Sequence, residues 1–275
     1  MAAVVPDILA RIVEQKRVSL ARLKPRQAEL ERQAAERSAA RSDATILNSA
    51  QLNTARDFRA ALLAQPPAII SEVKKASPSK GIFTEDFHPA SIARVYADGG
   101  AAALSVLTDE EFFHGSLADL KIARASVAIP VLRKDFTIHE LQVVEAAAHG
   151  ADAILLIAAI LTVAEMRRFR ELAERLHMAA LVEIHSDDEL GPALDSGASI
   201  VGVNNRDLHT FQVSLETSER LADRIPASIV RVAESGIHSS TDVARLRTCG
   251  FSAFLVGEHL MKSGDPAGAI RALRS

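Results

Sequence analysis

Eight short apolar runs recur along the chain, beginning at residues 68, 101, 130, 151, 178, 199, 228 and 253. They are rich in Val, Ile, Leu and Ala, and the first and last begin 185 residues apart. The mean interval of about 26 residues accommodates one strand, one helix and two short loops. Because the runs are continuously apolar rather than alternating, they predict strands that are covered on both faces.

Amphipathic stretches lie between these runs and carry the signals of helix ends. Residues that commonly cap a helix start precede three of them, at Thr137, Thr162 and Ser186. Glycines that commonly follow a helix lead into the next run at Gly99, Gly100, Gly150, Gly197 and Gly250. Eight strand-helix units in series predict an α/β fold, a single (β/α)8 TIM barrel. A doubly wound sheet is the alternative, but it usually has fewer strands, and no G-x-G-x-x-G follows any run.

Residues 1–67 precede the first run and have a different composition. Helix-forming and charged residues dominate from Pro6 to Arg37, and a pair of prolines ends the segment. We therefore expect one or two helices that pack on the barrel. The predicted organisation is an N-terminal helical extension, residues 1–67, and one catalytic (β/α)8 domain, residues 68–275.

Composition and charge narrow the range of partners. With 48% hydrophobic residues the 275-residue chain can bury a large core, and its net charge of −3 provides no general attraction for nucleic acid or anionic membranes. The single cysteine, Cys249, excludes an internal disulfide, and the longest apolar stretch, residues 153–164, is too short to span a membrane. Asp7 and Glu14 interrupt a potential signal peptide. We expect a cytoplasmic protein that binds neither membranes nor nucleic acid.

Charged residues stand at the carboxyl ends of three predicted strands, where TIM barrels carry their active sites. Alternation places Glu72 and Lys74 on the same side of the first strand, and Lys134 and Glu183 end two others. Each residue alone fits an ion pair that closes the barrel. Burying four such charges together is costly, and functional sites are where proteins accept that cost. The four residues together therefore favour a site of proton transfer. Because apolar surroundings disfavour charge, we expect the pKa of Lys134 to be lowered and that of Glu183 to be raised.

The last strands predict a phosphate site. Asn204 and Arg206 follow the sixth run, and glycines follow the seventh and eighth runs at Gly236 and Gly257. Glycines after these strands let backbone N–H groups approach a phosphate. The turns after the seventh and eighth strands are the usual location of the phosphate site in this fold. The alternative interpretation is that these two glycine turns have no chemical role. A polar loop from Ser77 to Gly81 follows the first strand and could cover a ligand.

Two further features bear on the ligand. Phe113 and Phe136 follow the second and third strands, where they could form an aromatic wall for a planar substrate or simply pack at the rim. The nine histidines have no metal-ligand spacing, and Cys249 has no CxxC partner. We expect no metal site.

Nine blocks of sequence carry a resemblance to a known family. In order they are ILARIVEQKR, IISEVKKASPSKG, LSVLTDEEFFHGS, PVLRKDF, DAILLIAAIL, LVEIH, VGVNNRDL, VAESGI and FLVGEHLM. In these blocks the chain resembles the indole-3-glycerol-phosphate synthases. The resemblance implies a carboxy-lyase of tryptophan, hence aromatic amino-acid, biosynthesis. Its substrate would be 1-(2-carboxyphenylamino)-1-deoxyribulose 5-phosphate, which is closed, decarboxylated and dehydrated to indole-3-glycerol phosphate.

The resemblance also assigns residues. It implies that Lys134 is the general acid and Glu183 the base and cation stabiliser, with Lys74 near the substrate carboxylate. The catalytic positions are Lys134, Glu183, Lys74, Glu72, Asn204 and Ser235; the substrate-binding positions are Arg206, Glu234, Phe113, Phe136 and Pro78; the phosphate-binding positions are Ser77, Gly236, Gly257 and Glu258. Some members have Ser in place of Glu258, so we expect this residue to contribute its backbone N–H. The chain has no Trp to match an aromatic residue that some members have near the N-terminus.

The resemblance further implies that no cofactor is needed and that the partner is a small phosphorylated substrate. We expect a monomer, with association with other enzymes of tryptophan biosynthesis left open. Two alternatives stay open: a phosphosugar isomerase or aldolase, the latter with a Schiff base on Lys134 or Lys74, and a ligand sensor without activity on the same barrel.

Overall fold

The computed structural model of the protein describes residues 7–42, 56–78, 80–208 and 210–275. The other residues, which include Ser79 in the loop after the first strand and two stretches of the predicted extension, lie outside the described residues.

The eight apolar runs form a closed barrel of parallel strands, as predicted. The strands are β1 (Ala68–Val73), β2 (Ala76–Ser77), β3 (Gly81–Ile82), β4 (Ala103–Leu107), β5 (Val131–Lys134), β6 (Ala153–Ile157), β7 (Ala179–Ile184), β8 (Ile200–Asn204), β9 (Val230–Glu234) and β10 (Ala253–Val256). Around the barrel they follow the order β1, β10, β9, β8, β7, β6, β5, β4. The two short strands β2 and β3 pair with each other as a hairpin in the loop after β1.

In the described part of the chain, three helices precede the first barrel strand, and the others lie between or after the strands and cover the outside of the barrel. The helices are α1 (Asp7–Leu23), α2 (Gln27–Ser42), α3 (Phe58–Ala64), α4 (Pro89–Asp98), α5 (Leu117–Ser126), α6 (Glu140–His149), α7 (Val163–Arg175), α8 (Asp187–Asp195), α9 (Glu216–Ala222), α10 (Ser240–Thr248), α11 (Glu258–Met261) and α12 (Pro266–Leu273). Within the described ranges, no helix combines the length and the apolar composition needed to cross a membrane.

Alternation along each strand divides the core into two layers. On β5, Leu132 packs in the barrel interior, whereas Val131 packs in the outer cluster beneath the helices. Ile70 and Ile69 on β1 divide in the same way. Both faces of the strands are therefore buried, and the inward-facing residue at each carboxyl end points into the mouth of the barrel.

The predicted helix starts are confirmed at two of three positions. Thr162 caps α7 in a reciprocal capping box with Glu165, and Ser186 precedes α8. The prediction for Thr137 is wrong, because α6 begins three residues later and His139 is its N-cap. The Gln142 side chain accepts a hydrogen bond from the N–H of Ile138 at 2.8 Å, which holds this segment in a turn ahead of the helix.

The N-terminal helices cover both ends of the barrel. Phe58 and Leu62 of α3 belong to the interior cluster with Ala68, the first residue of β1, so α3 closes the end at which the strands begin. At the other end, α1 lies beside the mouth, where Leu9 and Ile12 are buried.

Candidate active site

The carboxyl ends of the barrel strands surround a cavity of about 480 Å³. All fifteen residues that the sequence singled out line it, and they come from the ends of seven of the eight barrel strands. These residues are Glu72, Lys74, Ser77, Pro78, Phe113, Lys134, Phe136, Glu183, Asn204, Arg206, Glu234, Ser235, Gly236, Gly257 and Glu258. The structure thus brings them into a single site, and their individual roles stay predictions.

Lys134 is surrounded by carboxylates. Its Nζ lies 3.0 Å from Glu183 Oε2 and 3.8 Å from Glu234 Oε2. Burial by itself lowers the pKa of Lys134, but its acidic neighbours, Glu183 foremost, outweigh this effect and raise the pKa above its ordinary value. The sequence-based expectation of a lowered pKa is therefore wrong, because the closed barrel brings Glu183 from a distant strand next to Lys134. Lys134 is a firmly protonated ammonium at neutral pH.

Glu183 and Glu234 have opposite pKa shifts although both are buried. Burial raises the pKa of Glu183, but the positive charge of Lys134 and contacts with His185 and Asn204 bring it well below its ordinary value. Burial and the nearby Glu183 charge raise the pKa of Glu234 well above its ordinary value. The expectation of a raised pKa at Glu183 is therefore wrong, because Lys134 stabilises its charged form. The buried carboxyl group with the raised pKa is Glu234. The pair holds one ionised and one protonated carboxyl group.

Gly202 on β8 makes room for the buried carboxyl group of Glu234. A Cβ atom at position 202 would collide with Glu234 Oε1. That oxygen is buried and has no hydrogen-bond partner among the described residues. Gly202 offers no side-chain polar group to this oxygen, and a buried oxygen without a partner disfavours the charged form. Both facts agree with the raised pKa of Glu234.

Glu72 and Lys74 form a second acid-base pair at the end of β1. Lys74 Nζ lies 2.9 Å from Glu72 Oε2, with both side chains mostly buried. The ammonium of Lys74 also lies 5.3 Å from the centre of the Phe83 ring, in the segment after β3. Alternation on β1 therefore places both groups inside the mouth, as the sequence predicted.

Glycines shape the turns after β9 and β10. Gly236 has a φ of +79°, and Ser235 before it has a φ of +67°, a left-handed conformation that is uncommon outside glycine. Asn205 donates a hydrogen bond to the Ser235 carbonyl at 3.1 Å and supports this turn. Among the described residues, the N–H groups of Gly236 and Gly257 have no hydrogen-bond acceptor. An anion at this end of the cavity would find them free.

The side chain of Glu258 is directed to a cation outside the turn. Lys262 Nζ donates to Glu258 Oε1 at 2.6 Å, and this contact lowers the pKa of Glu258. The carboxylate beside the two glycine turns is therefore paired with Lys262, the residue after α11. This arrangement is compatible with the expected contribution of a backbone N–H from Glu258.

Apolar side chains form the end of the cavity opposite the glycine turns. The rings of Phe113 and Phe136 lie 6.0 Å apart at an angle of 37°. The helix α1 adds Ile8, Leu9 and Ile12 to the cavity lining. The sequence analysis missed these three residues, because the helical pattern of α1 does not show which part of the barrel it reaches. They add aliphatic surface to the wall of the cavity.

Other charged residues at or beside the site were also missed, and His185 and Lys16 are examples. His185, two residues after Glu183, lines the cavity and places Nε2 3.0 Å from Glu183 Oε1. The period-two alternation of β7 is a signal that could have identified it. Lys16 on α1 forms ion pairs with Asp109 and Asp135, at 2.8 and 2.5 Å. No local signal in α1 identifies Lys16, because both partners follow distant strands.

The described side chains include no group of three or more His, Cys, Asp or Glu residues placed to hold a metal ion.

Solved structures share the barrel at low sequence identity. Thiamine phosphate pyrophosphorylase from Pyrococcus furiosus has a TM-score of 0.58 and 18% identity, covering 77% of this chain and 96% of its own. KGPDC from Streptococcus mutans has a TM-score of 0.59 and 14% identity, covering 76% of this chain and 96% of its own. At these identities the similarity shows the fold, a (β/α)8 barrel, and nothing further.

Sequence comparison identifies the family. The indole-3-glycerol phosphate synthase of Albidiferax ferrireducens is 47% identical over 271 residues, which cover 97% of this chain and 98% of that protein. The enzyme of the same name from Polaromonas naphthalenivorans is 52% identical over 222 residues, covering 79% of this chain and 84% of that protein. The family profile described as indole-3-glycerol phosphate synthase matches residues 9–273. The chain therefore belongs to the indole-3-glycerol phosphate synthase family.

Proposed function

We propose that the protein converts 1-(2-carboxyphenylamino)-1-deoxyribulose 5-phosphate into indole-3-glycerol phosphate, carbon dioxide and water, as a carbon-carbon lyase of tryptophan biosynthesis. Family membership supports this reaction. The observation that carries it within the cavity is the position of Lys134, with Nζ 3.0 Å from Glu183 and 3.8 Å from Glu234. Lys134 is thus a protonated amine in the same cavity as the glycine turns and the two phenylalanine rings, where it would meet the ketone of the substrate.

The two ends of the cavity suit the two ends of the substrate. The free N–H groups of Gly236 and Gly257 would bind the phosphate, with Ser77 in the adjacent hairpin. The carboxyphenyl ring would lie against Phe113 and Phe136, because aromatic rings favour offset and tilted packing. A substrate fixed at both ends has its ketone carbon and its ring carbon held close together, which favours ring closure.

Ring closure needs an acid at the ketone oxygen. The ring carbon that bears the carboxylate attacks the ketone carbon, and the electrons of the carbonyl double bond move to the oxygen, which takes a proton from Lys134 Nζ. The substrate nitrogen supplies the electron pair and becomes an iminium ion. The Glu183 carboxylate, 3.0 Å from the same ammonium, would stabilise that developing positive charge. Glu234, which holds its proton, can return one to Lys134.

The later steps use the second acid-base pair. The bond to the carboxylate breaks, its electrons return through the iminium ion, and carbon dioxide leaves as the ring regains aromaticity. The Glu72 carboxylate then removes a proton from the carbon beside the nitrogen, while Lys74 donates a proton to the departing hydroxyl. The two groups are 2.9 Å apart, so a proton can pass between them after each turnover. The iminium ion is the electron sink, so the proposed chemistry needs no added cofactor.

We also propose the setting of the reaction. Residues 68–275 form the catalytic barrel, and residues 1–67 form an extension whose first helix completes the cavity wall through Ile8, Leu9 and Ile12. The protein would act in the cytoplasm as a monomer on a free phosphorylated substrate. Association with other enzymes of the pathway is left open.

The test is turnover of the carboxyphenylamino substrate by the purified protein, followed by indole absorbance and fluorescence. We expect indole-3-glycerol phosphate, with one carbon dioxide released per indole formed. Borohydride added in the presence of a ketose phosphate distinguishes the aldolase alternative, since a Schiff base on Lys134 or Lys74 would be trapped covalently. Absence of indole together with a trapped adduct would overturn the proposal.

A further inference from the structure

His185 lies at the end of β7, two residues after Glu183, and its side chain is only 7% exposed. The imidazole lines the cavity. None of the steps proposed above uses it. A buried titratable ring beside the proposed base is therefore a candidate for a further role in the site.

The ring lies between two carboxylates. Nε2 is 3.0 Å from Glu183 Oε1, and Nδ1 is 3.4 Å from Glu189 Oε2 on α8. The same oxygen of Glu189 accepts the backbone N–H of His185 at 2.7 Å, so Glu189 fixes both the ring and the chain that carries it. The Nε2–H bond does not point along the line to Glu183, and the contact is an ion pair rather than an aligned hydrogen bond.

The two oxygens of Glu183 have different partners. Oε2 contacts Lys134 at 3.0 Å, whereas Oε1 contacts His185 and also accepts a hydrogen bond from Asn204 at 3.2 Å. When Lys134 gives its proton to the substrate, Glu183 loses the cation on Oε2. A buried carboxylate without a cation tends to take up a proton. Among the described residues, His185 is then the cation that remains in contact with Glu183.

We propose that His185 is a positioning residue, whose imidazolium keeps Glu183 ionised and in place while Lys134 is without its proton. This inference rests on the function proposed above. The charged groups that face the ring are Glu183 on β7 and Glu189 on α8; beyond Glu183 lie Glu234 on β9 and Lys134 on β5.

The charge state of the ring agrees with this role. Burial lowers the pKa of His185, but contacts with Glu183 and Glu189 outweigh it and raise the pKa to about 9. The ring is therefore charged at neutral pH, and it loses its charge as the pH rises through about 9. Loss of this charge at alkaline pH should impair the reaction in the wild-type protein.

The experiment compares kcat and KM from pH 6 to 10 in the full-length wild type and three variants. His185→Gln puts a neutral amide nitrogen close to the position that Nε2 occupies in the wild type. Glu189→Gln removes the negative charge next to Nδ1. His88→Gln is the control, since His88 also pairs with a carboxylate, Asp86 at 2.7 Å, but its side chain is 70% exposed. Thermal unfolding and phosphate inhibition verify that each variant is folded with an intact phosphate site.

We expect His185→Gln to lower kcat at pH 7.5 by up to about 100-fold, the loss that a displacement of about 1 Å can cause. KM should change much less. The alkaline decline of kcat near pH 9 should be absent in this variant and should move to lower pH in Glu189→Gln. His88→Gln should match the wild type. The His185 ring, followed by NMR in the absence of substrate, should titrate at the same pH as the wild-type kcat.

Two results would overturn the inference: a folded His185→Gln variant with kcat within about twofold of wild type, or an alkaline decline unchanged in that variant. If the wild type itself makes no indole, the proposed function fails instead. The NMR titration still measures the charge of His185 in that case.

Discussion

Lys16 and Asp135 join the first helix to the centre of the site. Lys16 Nζ lies 2.5 Å from Asp135 Oδ1, and Asp135 is the residue directly after Lys134. Asp135 also contacts Arg133 at 3.0 Å and accepts a hydrogen bond from Thr108 at 2.6 Å. The position of the strand end that carries the proposed acid is thus coupled to the position of α1.

Lys16→Met should therefore weaken both folding and substrate binding. Removal of one partner from a buried ion pair costs about 3 to 5 kcal/mol, and Asp109 would also lose the cation 2.8 Å away. KM should rise more than kcat falls, because α1 carries the aliphatic wall of the cavity. Denaturant unfolding and steady-state kinetics check this. Arg17→Met is the matched control, since its pair with Glu14 is solvent-exposed and should contribute less than about 1 kcal/mol.

Lys134→Ala should abolish turnover and preserve the fold. Loss of a general acid typically lowers the rate 10²- to 10⁴-fold, and this ammonium also neutralises Glu183. Single-turnover kinetics and circular dichroism are the measurements. A well-folded variant that keeps more than about a tenth of the wild-type kcat would exclude Lys134 as the acid.

Gly236→Val should weaken the binding of substrate and of inorganic phosphate together. Position 236 has a φ of +79°, and a side chain there would meet Val213 and keep the backbone N–H from a phosphate oxygen. Competition by phosphate in the steady-state assay measures the effect.

Two other glycines complete this test. Gly257→Val should have the same effect but is less specific, because a Cβ at position 257 would also displace the carboxylate of Glu72. Gly264→Ala is the control, since nothing lies within 4 Å of a Cβ there. Unchanged phosphate inhibition in folded variants at both Gly236 and Gly257 would place the anion elsewhere.

Glu183→Gln and Glu72→Gln should affect different steps. Glu183 contacts the proposed acid, so its loss should lower kcat more than it changes KM. Glu72 pairs with Lys74, so its loss should chiefly slow the final dehydration. Carbon dioxide release and indole absorbance, followed separately in a single turnover, should separate in Glu72→Gln, with carbon dioxide first. Signals that stay together in Glu72→Gln and separate in Glu183→Gln would reverse the assignment.

Glu234→Gln should stabilise the protein at neutral and alkaline pH relative to wild type. The folded-state pKa of Glu234 is raised, so its contribution to stability is full below the unfolded pKa and is lost as the pH rises through the folded value. A glutamine, always neutral, has no such dependence. The free energy of unfolding in urea, measured at pH 5 and pH 8, should therefore show the gain chiefly at pH 8. An equal difference at both pH values would show that Glu234 is not held protonated.

The fold and the inward residues could be predicted from local sequence, because period-two alternation is a local property. It correctly places Glu72 with Lys74 and Lys134 with Leu132. The charge states could not be predicted in this way. Glu183 and Glu234 are 51 positions apart in the chain, and only closure of the barrel brings both to Lys134.

The contributions of α1 could not be predicted for the same reason. Lys16 reaches Asp109 and Asp135 only after the helix has packed on the barrel. The position of a surface helix depends on tertiary contacts that its own amphipathic pattern does not encode.

The closed lower end of the barrel has a consequence for how molecules enter and leave. Phe58 and Leu62 fill the end at which the strands begin, so the upper mouth beside α1 is the route that the described residues offer for entry and exit. Carbon dioxide, water and the indole product of the proposed reaction would then share one exit. If the two glycine turns hold the phosphate of the product, slow product release, rather than bond breaking, can limit the rate of the cycle.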